Sequence, residues 1–117
     1  MKVTGLKWAG TRTDRFEETV RFFEEVMGVE LDETQAGFAS FRTTEGDKIE
    51  VFGPDDAEHD FMTTGPVVGF GVEDVESARA ELEGAGVEFI GPTHSEGDYS
   101  WAHFRGPDGN VYEITSS

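Results

Sequence analysis

Residues 38–51 read FASFRTTEGDKIEV, and residues 101–114 read WAHFRGPDGNVYEI. Laid over each other without a gap at an offset of 63, the two stretches share Ala39/Ala102, Phe41/Phe104, Arg42/Arg105, Gly46/Gly109 and Glu50/Glu113. Similar residues fill the spaces between them: Phe38 with Trp101, Glu45 with Asp108, Asp47 with Asn110. A second echo lies upstream of each stretch, where Gly28-Val29-Glu30-Leu31 returns as Gly86-Val87-Glu88-Phe89. Repetition at this spacing marks a duplicated supersecondary unit.

Outward from the repeat, the surrounding segments take the same order twice. Val3, Leu6 and Trp8 lie in a β-compatible stretch, and Asp14 with Glu17 has the spacing of a helix capping box. Phe16, Val20, Phe23 and Met27 then form one helical stripe that ends at Gly28. Strands are expected at 29–32, 37–43 and 47–52, followed by an acidic connector at 53–66. A strand at 67–72 restarts the order. Asp74 can cap a second helix carrying Val75, Ala78, Leu82 and Ala85, and Gly86 stops it. A strand at 87–90, a loop at 91–98 and a hairpin of 99–105 with 110–115 complete the chain. The expected fold is α+β in one domain, with two βαβββ modules at about 1–57 and 58–117. Neither module buries a sheet face alone, so the two are expected to pair into a curved, cleft-forming eight-stranded arrangement with helices outside.

The hairpin chemistry assigns side chains to faces. Gly106-Pro107-Asp108-Gly109-Asn110 suits a three-residue loop: a type I turn, then Gly109 in the left-handed conformation of a bulge. That register opposes His103 to Glu113 and Trp101 to Thr115, and in the first module Ser40 to Glu50 and Phe38 to Phe52. Ala39, Phe41, Ile49 and Val51, like Ala102, Phe104, Tyr112 and Ile114, then fall beneath the helices. The opposite face carries Phe38, Ser40, Glu50 and Phe52 from one module and Trp101, His103 and Glu113 from the other. Two carboxylates and an imidazole on an aromatic-rimmed surface can perform acid–base work or hold a divalent metal. The same carboxylates also suit a purely structural ion pair with Arg42, Arg105 or Lys48. His59 and His94 read as solvated loop residues, and Trp8 and Trp101 as packing residues or ligand platforms.

Composition narrows the function classes. Twenty-five Asp and Glu face nine Lys and Arg, for a net charge of −16. Such a field repels nucleic-acid phosphates and anionic membranes, so neither partner is expected. It suits a solvated acidic surface, including one adapted to high salt, or a cationic ligand. With no Cys, disulfides, thiolate zinc sites and a Cys nucleophile are excluded. No apolar run approaches the length of a membrane span, and no signal-peptide core is visible, so a cytoplasmic location is expected.

The sequence is similar to the vicinal oxygen chelate superfamily of glyoxalases, bleomycin-resistance proteins and dioxygenases. The resemblance rests on Glu17-Glu18-Thr19-Val20-Arg21-Phe22-Phe23, Met27-Gly28-Val29 and Ile49-Glu50-Val51. It continues through Val68-Gly69-Phe70-Gly71-Val72-Glu73-Asp74-Val75 and the closing stretch from Phe104 through Gly106-Pro107-Asp108-Gly109-Asn110 to Glu113-Ile114. It implies the paired βαβββ fold, and metal ligands drawn from the first and last strand of each module. Those positions fall on Trp8, Glu50, Val67 and Glu113. Glu50 and Glu113 are suitable oxygen ligands, whereas Trp8 and Val67 are not ligands at all, so no transition-metal cofactor is expected. The implied function is binding of a small organic molecule, with Glu50, Glu113 and His103 as catalytic candidates and Trp8, Phe38, Ser40, Phe52 and Trp101 as ligand contacts. The alternatives are a metal-dependent, glyoxalase-like lyase or isomerase, with Glu50 and Glu113 as ligands, and sequestration of a cationic antibiotic. A homodimer is expected, because short open sheets leave edges to protect.

The charge balance predicts a salt response. The screening length falls from roughly 30 Å at 0.01 M salt to about 3 Å at 1 M, which relieves self-repulsion. The melting temperature should therefore rise with KCl across that range in a calorimetric series. A flat response would show that the acids are neutralised locally.

Overall fold

The computed structural model describes residues 1–116. Its elements are β1 (Gly5–Arg12), α1 (Phe16–Arg21), β2 (Glu30–Gln35), β3 (Phe38–Arg42), β4 (Lys48–Phe52), β5 (Val67–Gly71), α2 (Val75–Gly84), β6 (Phe89–Glu96), β7 (Tyr99–Arg105) and β8 (Val111–Thr115). The class is α+β, and the expected strand–helix–three-strand order occurs twice. The chain divides into two compact units, Trp8–Pro66 and Met1–Lys7 with Val67–Ser117.

In the unit Trp8–Pro66 the strand order is β2-β3-β4-β1, with β1 parallel to β4 and the other pairs antiparallel. Ala39, Phe41 and Val51 are fully buried, and Phe16, Val20, Phe23, Val29, Leu31 and Ile49 pack against them. Helix α1 departs from expectation at both ends. Asp14 does not cap it: the Arg15 amide donates to Thr13 Oγ1 at 3.0 Å, and no side chain bonds the first turn at the Arg15 cap. At the other end, Phe22–Val26 forms a π-helical turn, in which the Met27 amide reaches back five residues to the Phe22 carbonyl. A π turn holds one residue more than an α turn and shifts the phase of everything after it. Met27 therefore leaves the apolar stripe and is 57% exposed, while Val29 takes its place against the core.

The second unit repeats this plan with the order β6-β7-β8-β5, and β5 parallel to β8. Asp74 caps α2 as expected, accepting from the Ser77 amide and hydroxyl at 3.3 and 3.0 Å. Val75 and Ala78 join Val72, Ala102 and Ile114 in the core, with Leu82, Phe89 and Phe104 against them. The segment expected to be a loop at 91–98 is mostly strand. Pairing with β7 is interrupted between Ile90 and His94, then resumes from His94 to Glu96. Its turn-forming residues are used in that bulge and in the reversal at Gly97 and Asp98, and backbone pairing continues between them.

Both hairpins have the register their turn chemistry demands. Ser40 opposes Glu50, Phe38 opposes Phe52, His103 opposes Glu113 and Trp101 opposes Thr115. Gly109 takes φ +83°, and the Gly106 amide closes the loop on the Asn110 carbonyl. Asp108 holds the turn from inside. The Tyr112 hydroxyl at 2.6 Å and the Asn110 amides hold its carboxyl below the usual carboxylate range. The repeated arginines serve the same turns: Arg42 donates to the Gly46 carbonyl and Arg105 to the Gly109 carbonyl.

The two helix starts make a matched test. Removing a working side-chain cap costs about 1 kcal/mol. Asp74→Ala should lose that much in urea denaturation, and Asp14→Ala should lose almost nothing. Equal losses would mean that Asp14 caps α1 in solution.

Candidate functional site

The site residues lie on the sheet faces turned away from the helices, and a two-residue period puts alternate side chains there. In Trp8–Pro66, β1 registers Trp8 with Lys48, Gly10 with Glu50 and Arg12 with Phe52. The face therefore carries Trp8 and Arg12 from β1, Glu50 and Phe52 from β4, and Phe38 and Ser40 from β3. Trp8, Ser40 and Phe52 are buried. The Trp8 indole lies across Gly10, where an added Cβ would overlap ring atoms Cη2 and Cζ2. From that position its Nε1–H donates to Glu50 Oε1 at 2.7 Å. Lacking a side chain, Gly10 gives the indole room to reach the carboxylate.

The remaining groups extend this surface. Ser40 Oγ donates to Asp32 Oδ2 at 3.5 Å, and the Phe38 and Phe52 rings lie 5.7 Å apart. His59, expected in solvent, stacks on Phe52 with centroids 3.8 Å apart, and its Nδ1 lies 2.9 Å from Asp56 Oδ2. It covers the end of the aromatic row. An isolated histidine in an acidic connector offers no local pattern that would reveal this contact.

In the other unit, His103 and Glu113 face each other across β7 and β8. His103 Nε2 lies 3.0 Å from Glu113 Oε2, with side chains only 6% and 4% exposed. At that distance the two pair as ions when the imidazole carries a proton. Gly69 registers with Glu113 on the adjoining strand β5, as Gly10 does with Glu50. Trp101 stacks against His94 at 5.6 Å and lies 5.0 Å from Tyr99; His94 is exposed, as expected, but stands on strand β6 and not in a loop. Two of the three ion-pair partners expected for the glutamates, Arg42 and Arg105, make other contacts. Arg42 faces Asp32 at 3.7 Å, and Arg105 faces its own turn.

The donor set tests whether a metal fits. An indole nitrogen carries a hydrogen and has no in-plane lone pair, and valine has no donor atom. Of Trp8, Glu50, Val67 and Glu113, only the glutamates can ligate, and Trp8 already uses one oxygen of Glu50. Among the described residues no three His, Cys, Asp or Glu side chains gather as a metal-holding group. Transition-metal centres ordinarily take three or four protein donors. The residues present do not fit one.

The Trp8–Gly10 contact is open to a double-mutant cycle. Overpacking a filled space costs about 1–3 kcal/mol. Gly10→Ala should cost that in the wild-type background and, in a Trp8→Ala background, fall within about 0.5 kcal/mol of neutral. Additive effects on urea denaturation would show that the indole does not occupy that space.

Comparison with known proteins places this geometry in a family. Structures of similar fold include methylmalonyl-CoA epimerase from Mycobacterium tuberculosis, with TM-score 0.73, 18% identity, and coverage of 97% of this chain and 88% of that one. The Streptomyces coelicolor methylmalonyl-CoA epimerase in complex with 2-nitronate-propionyl-CoA gives TM-score 0.70 at 20% identity, covering 99% of both chains. A glyoxalase/bleomycin resistance protein/dioxygenase superfamily member from Vibrio splendidus 12B01 gives 0.68 at 15% identity, covering 93% of this chain and 96% of that one. No curated protein matches the sequence. A family model does match, from the first residue of β1 to within one residue of the end of β8, at residues 5–114. The chain belongs to the Glyoxalase/Bleomycin resistance protein/Dioxygenase superfamily.

Proposed function

We propose that this chain binds a small organic molecule without a transition metal, and that the His103–Glu113 pair can handle a proton. The observation that carries the reading is the Trp8 Nε1–Glu50 Oε1 hydrogen bond at 2.7 Å. It engages one oxygen of Glu50 with a donor-only indole N–H, which supports a carboxylate held as a hydrogen-bond acceptor. The same face offers Phe38 and Phe52 for packing and Ser40 for a polar contact, a mixture typical of small-molecule sites. The buried His103–Glu113 pair supports the proton-handling part. The imidazole can take a proton while the carboxylate stabilises the resulting charge, or the pair can deliver one. The reading includes a homodimer, in keeping with the exposed apolar residues Phe22, Val26 and Met27 at the end of the first helix.

A thermal-shift screen of small organic acids, bases and neutral compounds tests this, run with EDTA and with added Zn²⁺, Ni²⁺, Mn²⁺ or Mg²⁺. Hits should shift the melting temperature equally in EDTA. Their effect should fall at least about tenfold in apparent affinity in His103→Gln or Glu113→Gln, the loss expected for a charged hydrogen bond. Stoichiometric metal in the purified protein, lost in Glu50→Gln or Glu113→Gln, would overturn the reading in favour of a metal-dependent lyase or isomerase.

A further inference from the structure

Arg12 ends β1 on the same face as Trp8 and Glu50, in register with Phe52. It stands apart from the other arginines of its unit. Arg15 pairs with Glu18, Arg21 with Glu25 and Arg42 with Asp32. Arg12 donates instead to two neutral acceptors, from Nη2 to the Pro54 carbonyl at 2.8 Å and from Nε to the Asp56 carbonyl at 3.1 Å. The carboxylate of Asp56 is turned to His59, accepting from its backbone amide at 3.2 Å and lying 2.9 Å from its ring nitrogen. In a chain of net charge −16, Arg12 takes backbone carbonyls and no carboxylate among the described residues, as Arg105 does at its turn.

The two carbonyls fix the plane of the guanidinium and use two of its five N–H groups, which leaves three. Beside it is a cavity of about 380 Å³. Thr13, Thr63, Pro54 and buried Met62 also line it, two hydroxyl-bearing and two apolar residues. Asp14 also lines it and is exposed, so water screens its charge more than that of half-buried Arg12. The repeat shows that the fold does not require this arginine. Phe52 corresponds to Thr115 in the second hairpin, and the β5 residue registered with Thr115 is Gly71.

We propose that Arg12 receives the carboxylate of a small organic acid whose apolar body lies in the cavity beside it. The inference rests on the small-molecule reading above and names its chemical class. A fork of N–H groups held in one plane matches a carboxylate in two-point contact. The repulsive field of the remaining acids makes such a fixed cation necessary for any anion to bind. The apolar body lies against Pro54 and Met62, and the threonine hydroxyls satisfy remaining carboxylate lone pairs.

Benzoate, its neutral counterpart benzamide and the cation benzylamine are suitable probes, titrated into ¹⁵N-labelled protein and followed by NMR. Benzoate should bind about tenfold more tightly than benzamide, the scale of one charge-assisted pair, and should shift the Arg12 Nε–H resonance directly. Arg12→Gln should reduce the benzoate-to-benzamide ratio below about twofold, and Arg12→Lys should restore part of it. The ratio is the readout because loosening the 53–66 segment would weaken both probes alike, and the Nε–H shift is read in the unmodified protein. Equal binding of the two, or preference for benzylamine, overturns the carboxylate assignment and leaves the small-molecule reading standing. If none of the three binds, the assignment fails, and the broader screen then decides the small-molecule reading separately.

Discussion

A carboxylate in the middle of a sheet needs space on the neighbouring strand, and in each repeat that space is a glycine. Gly10 lies beside Glu50 and Gly69 beside Glu113, both in parallel register. What distinguishes the two faces is the partner that each carboxylate takes. In one unit the Trp8 indole crosses Gly10 to donate to its glutamate. In the other the partner comes from across the hairpin, as His103. The backbone plan is thus duplicated while the chemistry is not. A donor-only indole holds its carboxylate as an acceptor, whereas an imidazole can exchange a proton with its own.

The parts of the fold that the sequence reveals are those decided within a few residues. A turn such as Gly106–Asn110 sets its own geometry, and one fixed turn sets the register of every pair behind it. This is why Ser40–Glu50 and His103–Glu113 follow from the hairpin loops alone. Asp74 is legible for the same reason, since the amide that donates to it is three residues away. Helix α1 is not, because one amide reaching five residues back at Met27 re-phases the stripe, and no local pattern announces it. β6 is masked by its own composition. Gly91, Pro92 and Gly97 read as loop, yet the bulge and reversal they form leave His94–Glu96 paired with β7.

The partners of the site residues are less legible than their positions. Arg42 and Arg105 are identical in the two repeats and two residues from the site face along β3 and β7, which makes them natural candidates to neutralise Glu50 and Glu113. Each instead bonds the carbonyl of the glycine in its own turn, Gly46 or Gly109. That contact explains why arginine and glycine recur together at this spacing: the pair is a turn brace. For these arginine–glycine pairs, identity between repeats marks the scaffold. Trp8 against Val67 and Arg12 against Gly71 mark where the two halves differ in side-chain chemistry.

The 53–66 segment shows how a strongly acidic chain builds ordered structure without pairing every charge. Asp55, Asp56, Glu58 and Asp60 repel one another, and composition alone reads the segment as an extended connector. It is held by contacts that do not depend on cancelling that charge. Arg12 grips two backbone carbonyls, the His59 ring lies flat on Phe52, and Met62 is 3% exposed. Holding a loop by its carbonyls leaves its carboxylates free for solvent or neighbours and leaves the gripping cation with its charge. Pairing Arg12 with any of these acids would tether the loop equally well but neutralise the guanidinium, and the face would then keep no positive group at that end of β1.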